Sequence, residues 1–189
     1  MITLTHTKKP TRKEAFDLAC KAKSHPLTEV EIDSLINYFA PSVPSSPKTA
    51  FQWVARAVAI NDIRFYLNYV YVSEGVMYAT DGHRLHWADT DLANGYYDAK
   101  TGLPAKCDGK YPDVRRVIPR LEQMQKFDGS PTAGARYINR KEVHTLTYGD
   151  LEFNRGYVND ASPTAVYLDT QKMRGSNEFG EFVIMCMKV

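Results

Sequence analysis

Residues 78–91 read YATDGHRLHWADTD and bring Asp81, His83, Arg84 and His86 within six positions. Those types could serve as an acid–base pair, a metal site, a phosphate clamp or the polar lip of a pocket. As metal ligands His83 and His86 are poorly spaced, because residues three apart on a strand point to opposite faces. The chain has no HExxH or CxxC, and neither GxxxxGK[ST] nor GxGxxG to cradle a phosphate. Cys107 sits between Lys106 and Asp108, but no His or Asn is placed by sequence to activate it. Asp81 and His83, at i and i+2, could share a strand face and meet as an acid–base pair. By residue type alone the stretch builds a strand that turns at Asp81-Gly82, with Asp81 bonding local backbone and Gly82 supplying a dihedral pair other residues dislike.

The elements that must carry this turn are legible around it. RFYLNYVYVSEGVMYAT, residues 64–80, is dense in Tyr, Val and Phe, with SEG as a hairpin turn between two strands. Upstream, KTAFQWVARAVAI predicts a helix with Phe51, Val54, Ala55 and Val58 as its apolar stripe and Lys48, Gln52 and Arg56 polar. Downstream, residues 90–113 are rich in Gly, Pro and Asp and read as a long loop with one short edge strand. ARYINR, EVHTLTYG, DLEFN, TAVYLDTQK and EFVIMCMKV return to strand texture. At the N-terminus two short helices are expected, capped by Thr11 with Glu14 and by Thr28 with Glu31, the second with Ile32, Leu35, Ile36 and Phe39 at helical spacing. APSVPSSPK, from residue 40, reads as a stiff extended connector. This order predicts an α+β fold with mainly antiparallel sheets.

The 189 residues suffice for one substantial domain plus an appendage, with 43% hydrophobic and 24% charged residues typical of a globular chain. The start lacks an apolar signal core and no run approaches the ~20 apolar residues of a membrane span, so a cytoplasmic protein with no membrane partner is expected. Cys20, Cys107 and Cys186, odd in number and far apart, are expected as unpaired thiols. A net charge of +2 permits a nucleic-acid partner without requiring one. Neither cofactor nor metal is expected.

Several motifs in order resemble the bacterial DNA polymerase III β sliding clamp family. DIRFYLNYVYVSEGVMYATDGHRL is similar to a clamp strand of RYYLNG type followed by one ending ATDGHRL. GKYPDVRRVIPR resembles the clamp segment FPDYRRVLP, and EFVIMCMKV the closing YVVMPMRL. LEFNRGYVND is similar to the pattern in which a strand ending Phe-Asn runs into a domain's second helix, which implies a helix over 155–161. Residues 1–47 have no counterpart and are expected as a helical N-terminal extension and Pro/Ser linker; residues 48–189 would form a single clamp-like domain with two helices. Clamps have three tandem domains, and the small size here suggests a phage or prophage origin.

In clamps the ATDGHRL segment does no chemistry; it lines a cleft that takes short linear peptides from polymerases and other DNA-processing proteins. Carried over, Leu67, Thr80, Gly82, His83, Arg84 and Leu85 would form one wall, and Val183 and Met185 another. That makes an apolar slot with Thr, His and Arg orienting the peptide at its rim. Lys48, Arg56 and Arg155, on the two helices, would touch duplex DNA at phosphates without reading sequence. The resemblance thus implies a non-enzymatic DNA replication accessory protein, binding replication partners through peptides and closing around DNA as a homo-oligomer. A monomeric peptide-binding adaptor or decoy is the second reading, and an unrecognised hydrolase built on Asp81–His83 or Cys107 the third.

Overall fold

A computed structural model describes residues 47–138 and 141–187, together with 17, 18, 20–22, 25–28 and 31. The Thr11–Glu14 cap, the stripe from Ile32 to Phe39 and most of the Pro/Ser connector lie outside the described residues. The chain divides into two compact units, Met1–Ser46 and Pro47–Val189. Within the first, Thr28 and Glu31 form the reciprocal capping box: Thr28 N donates to Glu31 Oε2 (2.9 Å) and Glu31 N to Thr28 Oγ1 (3.4 Å). Lys21 Nζ donates to Glu31 Oε1 at 2.6 Å.

The second unit opens with helix α1, Ala50–Val54, whose N-cap Thr49 accepts from Gln52 N. It tightens into a 3-10 turn over Ala55–Ala57 and stops where Val58 becomes extended. The helix is therefore shorter than the stripe predicted. Its fully buried residues are Trp53, Val54 and Ala57, while Phe51, Ala55 and Val58 are only partly buried. Trp53 has the most apolar area to hide, and its Nε1 donates to Ala161 O (3.3 Å), so Trp53 sets which side of α1 faces inward.

The strands are β1 Tyr69–Ser73, β2 Val76–Thr80, β3 Arg84–Asp89, β4 Gly95–Asp98, β5 Pro104–Ala105, β6 Gln125–Lys126, β7 Thr132–Ile138, β8 Lys141–Tyr148, β9 Leu151–Asn154, β10 Ala165–Leu168, β11 Lys172–Ser176 and β12 Glu181–Met185. Helix α2, Arg155–Ala161, follows β9, with Asn154 capping Gly156 N and Tyr157 N. Among the described residues the strands form a nine-stranded sheet, β5-β4-β1-β2-β3-β12-β11-β10-β6, and a three-stranded one, β7-β8-β9. Every pairing in both is antiparallel. The β1–β2 hairpin turns at Glu74-Gly75, both with positive φ (54° and 76°), the geometry whose twist matches two antiparallel strands.

Three strands depart from expectation, the short β6 among them. The loop after residue 90 holds β4 and β5 rather than one edge strand. KMRGS forms β11, which was not expected because its charged residues and glycine are poor strand signals. Gly175 is required there: a Cβ would lie 2.4 Å from Ala165 O and 2.5 Å from the Phe182 ring.

The large sheet has two apolar faces. On the inner one Trp53 and Val54 of α1, Val158 and Ala161 of α2, and Phe153 meet Val70, Val72, Met77, Ala79, Phe182 and Ile184 in the main core. On the outer one Ala59, Leu67, Tyr78, Leu85, Tyr111 and Val114 form a second cluster.

Candidate functional site

The turn joining β2 to β3 is built by Asp81. Its Oδ1 accepts from His83 N (2.9 Å) and Arg84 N (3.0 Å), and Thr80 Oγ1 accepts from Gly82 N (3.0 Å). Gly82, at φ +94°, turns the chain as its residue type predicts. Asp81 Oδ2 accepts from Arg84 Nε (3.2 Å), so both carboxylate oxygens are engaged within the turn. The acid–base pairing of Asp81 with His83 is thus replaced by a bond to the His83 backbone, and the imidazole itself is exposed. Arg64, held by Asp62 through two bonds (3.0 and 2.8 Å), braces the turn from below by donating to Asp81 O (3.4 Å). That guanidinium holds the Asp62 carboxyl down to about 2.

Strand pairing then assembles residues from distant segments. Thr80, Leu85 and Val183 are successive partners across β2, β3 and β12. The row continues through Arg174, Tyr167 and Lys126 on β11, β10 and β6. Met185 N donates to His83 O (2.9 Å), fixing the end of β12 to the turn. Leu67 joins Leu85 in the outer cluster. Seven of the eight residues expected to line a peptide cleft therefore gather at one end of the outer face.

Arg84 is the exception. It alternates with Leu85 and lies on the inner face, paired with Ile184. Its Nη1 donates to Asp160 Oδ2 (2.6 Å), Nη2 to Arg56 O, and its Cζ lies 4.5 Å from the centre of the Tyr157 ring. The side chain is 10% exposed. It pins the turn to both helices instead of standing at a peptide rim.

Nor is the slot open. Leu67, Leu85 and Val183 are 2–3% exposed, whereas Met185 is 36% exposed. Tyr111 and Val114, from the YPDVRRVIPR segment, close the outer cluster, and Ile118 packs against it. Polar bonds fasten that segment: Arg115 Nη2 to Glu74 Oε2 (2.6 Å), Lys172 Nζ to Val117 O (3.3 Å) and Arg174 Nη1 to Pro119 O (2.7 Å). Val117 is left 47% exposed and, with its carbonyl on Lys172, the cross-strand partner of Met185, it joins the candidate residues beside those expected from the sequence. Only its place inside the matched YPDVRRVIPR segment could have pointed to it.

His86, on the inner face, is fully buried and stacks on Trp53 (centroids 4.4 Å, 15° between planes). Its Nδ1 is 3.1 Å from Trp53 O, so the Nδ1–H tautomer donates there. Burial first, and the nearby Arg84 charge second, lower its pKa from 6.5 to about 3. Burial likewise raises the Tyr157 phenol, with the Asp81 charge adding to it. Among the described residues no three His, Cys, Asp or Glu side chains are grouped to hold a metal, and the three cysteines are free thiols. No described helix is long and apolar enough to cross a membrane.

The helices α1 and α2, joined by Trp53 Nε1 and Ala161 O, lie on the inner face. Lys48 and Arg155 are exposed at their starts, while Arg56 is half-buried and its carbonyl is taken by Arg84.

No protein-family model matches the sequence, and neither does any curated protein. Among solved structures the chain is similar to a DNA polymerase sliding clamp from Pseudomonas aeruginosa with ligand (TM-score 0.50, 17% identity, 75% of this chain and 65% of that one). It is also similar to DNA polymerase III subunit beta from Borrelia burgdorferi in complex with a natural product (TM-score 0.51, 14% identity, 74% and 60%). A third is the sliding clamp from Bartonella birtlesii bound to griselimycin (TM-score 0.50, 16% identity, 74% and 63%). The chain thus covers less than two thirds of each of these clamps. At such identities the likeness speaks for architecture: the described residues of the second unit adopt an α+β sliding-clamp fold.

Proposed function

We propose that this protein is a sliding-clamp-like DNA replication accessory protein that binds short linear peptides of DNA polymerase or other DNA-processing partners on the outer face of its sheet. The observation that carries this reading is the Thr80–Leu85–Val183 row with Met185 tied to His83. It brings the chain's two most clamp-like segments together where the resemblance requires a peptide to bind. A peptide's large apolar side chain meets Met185 and Val117 first, beside the polar His83, and reaches Leu85 by displacing part of the covering segment.

Griselimycin, the ligand of the Bartonella clamp, is a direct probe. Titration calorimetry on the folded protein should give saturable binding, lost in Met185→Ser with the circular dichroism spectrum unchanged. A Leu67→Ser change is no clean test of the cleft, since Leu67 is core and a polar group there destabilises the fold. A folded wild-type protein with no affinity for the probe rejects the peptide reading.

Duplex DNA would lie against the α1–α2 face, contacted at phosphates by Lys48, Arg56 and Arg155. Its affinity should be weak, indifferent to sequence and steeply salt-dependent. A single clamp-fold unit has to self-associate to surround DNA. The alternative is a monomeric adaptor or decoy that keeps the peptide site and never encircles DNA. Light scattering across concentrations, with and without DNA, separates them: a strictly monomeric protein leaves only the adaptor.

A further inference from the structure

The guanidinium of Arg84 is fixed on three sides by groups from three elements. Nε donates to Asp81 on the turn, Nη1 to Asp160 on α2, and Nη2 to the carbonyl of Arg56 after α1, with the plane against the Tyr157 ring. Arginine's rigid fork suits such a junction, because each direction is spent on a different partner. From there the chain of bonds runs outward. Asp81 Oδ1 holds the His83 and Arg84 amides, and His83 O holds the Met185 amide. The exposed tip of the proposed site is therefore anchored from the opposite face of the sheet.

We propose that Asp160 is a positioning residue for the peptide site, acting through Arg84 and Asp81 to set the His83–Met185 lip. The inference rests on the peptide reading for its functional consequence, although the ordering of the lip does not. Asp160 is suited to the role by geometry. Its carboxylate is 2.6 Å from Nη1 with 26% of its side chain exposed, so the pair is shielded enough to orient and too exposed to be a core element. A neutral acceptor at this position holds the guanidinium less firmly than the carboxylate does, which loosens the fork and with it the Nε bond to Asp81. The turn then loses the group that aims Asp81 Oδ1 at the His83 and Arg84 amides.

The test is Asp160→Asn, with Asp160→Glu as the conservative rescue and the exposed Asn159→Ala as a control on the same helix. Amide hydrogen exchange should quicken about tenfold or more at His83, Arg84 and Met185 in Asp160→Asn, with Ala79 and Phe182 unchanged. Asp160→Glu should restore much of the protection, and Asn159→Ala should behave as wild type. Griselimycin should bind Asp160→Asn about tenfold more weakly, the loss of one charge-assisted bond's worth of order. Exchange that quickens uniformly across the sheet, or a lip and affinity that are both unchanged, would overturn the proposal. If wild type fails to bind griselimycin, the peptide reading falls, and the exchange pattern alone still decides whether Asp160 orders the lip. Should Asp160→Asn not fold, Arg84→Lys, which keeps the charge but not the fork, must show the same local quickening.

Discussion

The inner and outer faces of the β2–β3–β12 sheet are made by alternate residues of the same strands, yet they are closed by different means. Inside, regular helices lay Trp53, Val54 and Val158 against Phe182, Ile184 and His86, all essentially without water contact. Outside, the cover is the segment of residues 109–120, irregular but for one 3-10 turn at Val114–Val117 and attached through side chain to backbone bonds from Lys172, Arg174 and Tyr96. A helix satisfies its own backbone and can be sealed over an apolar face, whereas an irregular segment must borrow donors from its neighbours and stay near water. That difference makes the inner face the seat of stability and leaves the outer cover the more loosely held of the two, as the peptide site proposed above requires.

The sharpest way to break this contrast is a cavity on each side. Val72→Ala, at 0% exposure on the inner face, should cost about 2–3 kcal/mol in urea unfolding, while the same deletion under the outer cover, Val114→Ala, should cost about 1 kcal/mol. Equal losses would mean that both faces are core.

Acid probes the inner face through His86. Its unfolded-state pKa is near 6.5 and its folded value is about 3, so between those limits the unfolded chain binds a proton that the folded one refuses. Stability is complete above pH 6.5 and falls as pH drops, by at most about 1.4 kcal/mol per pH unit. Urea unfolding at pH 7 and pH 5 should therefore differ by about 2 kcal/mol from this group, and His86→Phe should remove that part of the difference.

Gly82→Ala tests the lip between the faces. The positive φ strains any side chain, and a Cβ would sit 3.3 Å from the Arg64 guanidinium, whose far end can move aside. A cost of about 1–2 kcal/mol is expected by chemical denaturation, with weaker griselimycin binding. The smallest expected effect on stability is that of Met185→Ser, about 1 kcal/mol or less because the residue is a third exposed at the end of β12, although binding should be lost.

Much of this could be read in advance wherever neighbours in sequence are the interacting groups. The Glu74-Gly75 hairpin, the Asp81-Gly82 turn and the Thr28–Glu31 box each close within four residues, so residue type suffices. The α2 helix came from likeness to LEFNRGYVND-type segments rather than from propensity, since Gly156 and Asn159 are weak helix formers. Strand β11 was missed for the opposite reason: Lys172 and Arg174 look like loop residues until they are seen gripping Val117 and Pro119, and Gly175 looks like a breaker until Phe182 is seen against it.

The sequence by itself determined the α+β class, the alternation that gives each strand an inward and an outward side, and the polar turn at residues 80–84, because these follow from local sterics and short-range hydrogen bonds. Only the tertiary structure decided that β3 pairs with β12, that Arg84 serves the helices while Leu85 serves the outer face, and that residues 111–118 cover Leu67 and Leu85. Those outcomes depend on which distant surfaces bury one another best, a competition among whole elements that no short window of residues contains.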